Sequence, residues 1–184
     1  KKSSNGFGCL PDKADYIDFD RGEFKEFFKV ELDNIETQLK QQILPWRNFV
    51  WVESLKDELR GVEKEGLPRS FRVGTVHQQV LSKKYLGDLV QKLMSFREFN
   101  GIMVGVNPFI EWDNLAKKLS NYRLFAADVK QWDGGMLVQV QRAVVQEIVK
   151  KFRGTTAETK ALELLLETII HSLVIVQDDF YLTT

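Results

Sequence analysis

Cysteine is nearly absent. Cys9 stands alone among 184 residues, so no internal disulfide framework staples this chain, and its composition suits a reducing compartment. Histidine is almost as scarce: His77 and His171 are the only two. Neither has a cysteine or a second histidine at metal-ligand spacing, so both read as structural rather than zinc-binding. No excess of one charge exists either. The 26 Lys and Arg balance 26 Asp and Glu, which argues against a protein that simply coats nucleic acid with positive charge. Long hydrophobic runs are missing too. The most apolar stretch, Leu164 to Val176, is interrupted by Glu167, Thr168, His171 and Ser172 and is too short to cross a bilayer. No signal-peptide pattern opens the chain, and no repeat or low-complexity tract occurs.

What is present is core-forming bulk. Hydrophobic residues make up 43% of the chain, with thirteen Phe and four Trp, as in an ordinary globular domain. The length fits one domain or part of a larger one. Because the sequence starts at Lys1 rather than Met and stops just after an apolar segment, we expect an excerpt. The neutral charge is unevenly spread. Between Gly66 and Gly87 there are four cations (Arg69, Arg72, Lys83 and Lys84) and no acid. Such a stretch suits a phosphate-bearing ligand, and equally a solvated face.

Taken in order, Ser3-Ser4-Asn5-Gly6-Phe7-Gly8 is a tight, glycine-punctuated loop. Asp20 and Glu23 look like a capping pair opening a helix. Phe24, Phe28, Leu32, Ile35, Leu39 and Ile43 give that helix one apolar stripe, and Pro45 is expected to close it. Phe49 to Val52 predicts a strand, followed by Lys56-Asp57-Glu58-Leu59-Arg60, a loop, and a second strand at Arg69 to Val73. Val76 to Met94 has helical periodicity. Gly101 to Gly105 reads as a short strand or extended loop. Asn107 and Pro108 open another helix, with Trp112, Leu115, Ala116 and Leu119 as its expected buried stripe. Leu137, Val140, Val144, Ile148 and Phe152 mark a helix ending near Gly154. A further helix from about Ala157 carries Ala161, Leu162, Leu165 and Ile169. Leu173 to Val176 and Phe180 to Leu182 flank a turn and predict a hairpin; Asp178 and Asp179 at its tip read as turn chemistry.

The stretch that organises the chain is Leu124 to Gly135. Leu124 to Ala127 is too short for a helix and predicts a buried strand. Asp128 would stand at its carboxyl end, where open α/β sheets place ligands. Asp133 follows a turn and precedes an amphipathic run, at a helix start. Two such carboxylates could hold a hard divalent cation. They could equally be a solvated loop acid and a helix N-cap.

The order of these features is the informative part. Lys56-Asp57-Glu58-Leu59-Arg60, the basic strand ending in Arg72-Val73, Val104-Gly105-x-Asn107-Pro108 and Asp128-x4-Asp133 together resemble the RNA-dependent RNA polymerases of picornavirus-like positive-strand RNA viruses. The Lys-Asp-Glu-Leu-Arg run resembles the opening of the family's motif F, whose cations line the channel for the incoming nucleotide. Asp128 and Asp133 match its motif A. Ser4-Asn5-Gly6-Phe7 resembles motif G beside the template, with Gly8 where family members often carry Pro.

That resemblance covers about Ser3 to Thr184 and implies an α+β fold, helix-rich with short strands: a partial right-hand polymerase with fingers and the first part of the palm. It implies fingers over 1–88, palm over 89–165, and a return segment over 166–184 that leads toward motif B. Motifs B and C have no counterpart here, so the 184 residues alone are expected to be inactive. The implied activity is RNA-directed RNA polymerisation by two-metal nucleotidyl transfer from NTPs, with Mg2+ as cofactor and Mn2+ as an alternative. By the same resemblance Asp128 would bind metal, with the Val129 carbonyl adding a ligand. Asp133 would sense the ribose 2′-hydroxyl. Lys56, Lys64 and Arg72 would meet the triphosphate, and Ser4, Asn5 and Gly6 the template. The implied partners are RNA template and primer, NTPs and other viral replication proteins, in host cytoplasm at membrane-associated replication complexes. The competing reading is a non-catalytic RNA- or protein-binding domain on the same scaffold.

Overall fold

A computed structural model describes residues 5–56, 61, 66, 69–130, 132–177 and 179–183; the side chains of Asp133 and Gly134 lie outside that description. The chain forms two compact units, one from 1–84 with 137–184 and one from 85–136. The fold is α+β and helix-rich with short strands.

The first unit opens with a 3-10 turn at Lys13–Asp15, capped by Asp12. A two-residue antiparallel pair follows, β1 (Ile17–Asp18) and β2 (Glu23–Phe24). Asp20 and Glu23 therefore do not cap a helix. Asp18 takes the local capping role instead, its carboxylate accepting from the N–H groups of Asp20 and Arg21. Helix α1 (Glu26–Lys40) begins at Lys25 without a side-chain cap. Of its expected stripe, Phe28, Leu32, Ile35 and Leu39 are buried as the spacing predicts, whereas Phe24 falls in β2 before the helix and Ile43 lies beyond its end and is exposed. Pro45 is not the stop. Gln42, just past the helix, adopts a left-handed φ of 61°, and its side-chain amide donates to Leu39 O in the last turn and to Lys160 O at 2.9 Å.

Strand β3 (Val50–Leu55) pairs antiparallel with β4 (Ser70–Val73), with Glu53 opposite Arg72. Helix α2 (Val76–Ser95) follows directly. In the second unit come α3 (Arg97–Asn100), α4 (Pro108–Leu119) and α5 (Trp132–Gly135). Asn107 caps α4 by accepting from Phe109 N–H, with Pro108 in the first turn. The expected burial of the α4 stripe is not found: Trp112 is 62% exposed and no α4 residue is buried. Gly101 and Gly105 both take positive φ and flank a loop rather than a strand.

The chain returns to the first unit through α6 (Val138–Lys151) and α7 (Thr156–Ile170). A full capping box starts α7: Thr155 Oγ1 accepts from Glu158 N–H, and the Glu158 carboxylate accepts from Thr155 N–H at 2.8 Å. Strands β5 (Leu173–Val176) and β6 (Asp179–Leu182) then form the predicted hairpin; Asp178 lies outside the described residues. β5 also lies parallel to β3, with Val50 against Leu173, so the sheet order is β4-β3-β5-β6. Leu162 and Leu165 of α7, Phe28 and Leu39 of α1, and Val50 and Val174 of the sheet are all but fully buried and form the core.

Candidate nucleotide and template site

The glycine-rich loop near the amino end is held by backbone geometry. Asn5 is buried; its Nδ2 donates to Leu10 O at 2.8 Å, and its carbonyl accepts from Val76 N–H at 2.9 Å. Gly6 has φ +91°, and a Cβ there would stand 2.6 Å from Thr75 Cα and 2.7 Å from Gly74 O. Only a residue without a side chain permits that approach. Ser4 lies outside the described residues.

Gly74 and Thr75, which join β4 to α2, are the anchor for this loop. A Cβ on Gly74 would meet Gln78 Oε1 at 2.5 Å and the Trp51 ring at 3.2 Å. Thr75 is fully buried, donates its hydroxyl to Asn48 O and accepts from Gln78 N–H at 3.2 Å. It thus caps α2 and ties it to the turn before β3. Sequence reasoning missed both residues. The signal was there, in a Gly-Thr pair between a basic strand and a helix, a usual capping arrangement.

Arg72 therefore sits two residues from the point where the loop docks. Its Nε lies 3.6 Å from the Glu53 carboxylate across the hairpin, with both side chains partly exposed. Lys56 is one residue beyond β3 and exposed, its N–H bonded to Arg69 O at 2.8 Å. The structure thus brings Lys56 and Arg72 onto one hairpin, joined to the segment that holds Asn5 and Gly6. Lys64 and Asp57 to Arg60 lie outside the described residues.

The acidic pair is in the second unit. No strand forms over Leu124 to Ala127, and Phe125 is 91% exposed. A strand needs a partner to take its N–H and C=O groups, and among the described residues none pairs with this segment; the four-stranded sheet belongs to the first unit. Asp128 and Val129 are exposed on this extended stretch. Asp133 lies within the four-residue α5, and its side chain is outside the described residues. Among the described residues no three His, Cys, Asp or Glu side chains converge to hold a metal ion. Those residues do not by themselves build a Mg2+ site.

The whole chain, residues 1–184, matches the family described as viral RNA-dependent RNA polymerase. This chain belongs to that family. The replicase polyprotein of Cricket paralysis virus is 35% identical over 98 residues, half of this chain and 6% of the polyprotein. That of Acute bee paralysis virus is 25% identical across the whole chain, 10% of its own length. The genome polyprotein of Rice tungro spherical virus is 26% identical over 76% of the chain. In fold, this polymerase-family chain resembles the Sicinivirus 3Dpol RNA-dependent RNA polymerase, with a TM-score of 0.81 at 21% identity over 98% of the chain. It spans 39% of that structure's chain and no more than a tenth of these two replicase polyproteins. Among the described residues no helix is long and apolar enough to cross a membrane.

Proposed function

We propose that these residues form the nucleotide- and template-handling part of an RNA-directed RNA polymerase that replicates a viral genome from NTPs. The family match along all 184 residues carries this reading. We assign 1–88 to the fingers, 89–165 to the first part of the palm, and 166–184 to a return segment.

In this reading Arg72 meets the incoming triphosphate. Its planar fork matches phosphate oxygens in pairs, and the 3.6 Å contact with Glu53 holds the guanidinium in place until phosphate displaces the carboxylate. Lys56 and Lys64 add charge for the same triphosphate. Ser4, Asn5 and Gly6 contact the template, with Asn5 and Gly6 held against the segment Gly74 to Val76. Asp128 offers one carboxylate and Val129 its carbonyl to Mg2+ or Mn2+, with the remaining ligands from outside these 184 residues; bound metal would neutralise charge on the transferring phosphoryl group. Asp133 reads the ribose 2′-hydroxyl. Alone, the 184 residues are proposed to be inactive. The partners are RNA template and primer, NTPs and other replication proteins, at membrane-associated sites in host cytoplasm.

The competing reading is a non-catalytic RNA- or protein-binding module on the same scaffold. Asp128→Asn in the full-length chain separates the two. Asp128 is exposed, so the change should leave folding intact and abolish template-dependent nucleotide incorporation. A full-length chain that binds RNA but incorporates no nucleotide with either residue would establish the binding module instead.

A further inference from the structure

A cavity of about 670 Å3 lies within the first unit, between α1, α2 and the β1–β2 pair. Lys29, Leu32, Asp33 and Glu36 line it from α1, and Val76, Val80 and Lys83 from α2. Both sets recur at three- and four-residue steps, so one face of each helix forms a wall. Ile17 and Phe24, cross-strand partners in the β1–β2 pair, close another side. Tyr16, Leu32, Val76 and Leu81 are buried, and Ile17, Phe24 and Val80 are half-buried. The polar groups set among these apolar walls already have partners. The Tyr16 hydroxyl accepts from Leu10 N–H at 2.6 Å, and the Gln79 side-chain amide donates to Gly74 O at 2.9 Å.

The charges on the lining are unbalanced: four lysines (Lys13, Lys29, Lys83 and Lys84) stand against two acids (Asp33 and Glu36). Glu36 is buried and held by Lys84 at 2.5 Å and Lys40 at 2.9 Å. Lys29 is taken by Glu23 at 3.4 Å and Glu26 at 3.7 Å. Lys13 and Lys83 are exposed and make no ion pair among the described residues. Asp33 is exposed too and can offset only one of them. An apolar cavity thus carries an unmatched positive charge on its lining.

We infer that this cavity binds an acyl carboxylate, with its chain between α1 and α2 and its head met by Lys13 and Lys83. Mostly apolar walls with a few charged groups, at this volume, are the usual form of a small-molecule site. Free phosphate would gain nothing from the apolar walls, and a cationic head would be repelled by the two lysines. A peptide fits less well. An extended one would bring backbone N–H and C=O groups, and the Tyr16 and Gln79 side chains are already engaged elsewhere. A helix, about 10–12 Å across, would fill the volume in less than two turns. A hydrocarbon chain needs no partner for its length, and its single carboxylate supplies the missing negative charge. The inference stands independently of the polymerase reading.

The test is calorimetric titration of the full-length chain with octanoate, decanoate and dodecanoate below their micelle concentrations, beside dodecylamine and inorganic phosphate. We expect saturable binding of dodecanoate, with affinity falling roughly tenfold for every two carbons removed. Dodecylamine and phosphate should not compete. A dodecanoate carrying a photoreactive diazirine should label the peptides that hold Phe24 or Val80, read by mass spectrometry. Replacing both exposed lysines, Lys13→Ala with Lys83→Ala, should weaken dodecanoate by about fivefold, the scale of two exposed charge contacts. If that double variant does not fold, the wild-type chain-length series and the labelled peptides decide. Absence of dodecanoate binding would mean that another segment of the full-length chain or a second copy of it fills the cavity, and would overturn the site. Affinity indifferent to chain length or to head charge, or labelling confined to other segments, would overturn it as well.

Discussion

Gly6 and Thr75 touch backbone to backbone: a Cβ on Gly6 would fall 2.6 Å from the Thr75 Cα. That contact joins the glycine-rich loop to the start of α2, and through Thr75 to the turn before β3. The loop and the basic hairpin are therefore parts of one rigid joint rather than two neighbouring pieces.

Two glycines in this loop separate strain from space. Gly6→Ala meets both a positive φ and backbone atoms, and should cost roughly 2 kcal/mol or more. Gly8→Ala has the same sign of φ, with nothing within 4 Å of the new Cβ, and should cost about 1 kcal/mol. Denaturant midpoints of the two variants provide the comparison, and equal losses would refute the close approach at Gly6.

Thr75→Val removes a buried hydroxyl that both donates to Asn48 O and accepts from Gln78 N–H. We expect a loss of about 1–3 kcal/mol, most of it recovered by Thr75→Ser. A Val variant as stable as wild type would mean that Thr75 serves only as a spacer.

The capping box of α7 gives a pH dependence with a definite sign. Glu158 is held below its ordinary value, first by the Thr155 N–H and then by the Thr155 hydroxyl. A depressed carboxyl stabilises the fold above its unfolded pKa and loses that contribution as pH falls through its folded pKa. Glu158→Gln should thus lower Tm near pH 7, with the gap to wild type closing as pH falls below the usual glutamate range. A gap that persists unchanged in acid would assign the effect to shape rather than charge.

Arg72 should be dispensable for stability and critical for nucleotide use. Its contact with Glu53 is partly exposed, a setting worth about 0.2–1 kcal/mol. Arg72→Ala in the full-length chain should leave Tm nearly unchanged and sharply reduce kcat/KM for NTPs, with Lys a poor substitute. Near-normal turnover at sub-saturating nucleotide would return Arg72 to the role of a surface charge.

Asp133→Asn should narrow the preference for ribonucleotides over deoxyribonucleotides, by about tenfold on the scale of one unmet polar contact. Matched single-nucleotide incorporation measures it. Equal loss on both sugars would make Asp133 a metal ligand or a helix residue only.

What could be read beforehand follows from how local each cause is. The middle of the α1 stripe from Phe28 to Leu39, the Asn107-Pro108 start and the β5–β6 hairpin rest on periodicity and turn chemistry within a few residues, and they form as expected; the two ends of that stripe, Phe24 and Ile43, fall outside the helix. Leu124 to Ala127 had the composition of a strand but depends on a partner elsewhere, and none pairs with it among the described residues. The α4 stripe has helical spacing, yet none of its residues is buried. Asp20 and Glu23 had capping spacing, yet the β1–β2 turn claimed them first. The docking of Gly6 on Thr75 joins residues far apart in sequence, and no local pattern announces it.

The parallel pairing of β3 with β5 also has a consequence in time. Val50 meets Leu173, so during synthesis the open edge of β3 waits on the order of ten seconds for its neighbour at ordinary elongation rates. Until then β3 has only β4 beside it, and a two-stranded hairpin is marginal on its own. The first unit should therefore fold late and all at once, when β5 leaves the ribosome. A nascent chain arrested before Leu173 should expose a sticky strand edge to chaperones, and one arrested well past Leu182 should not.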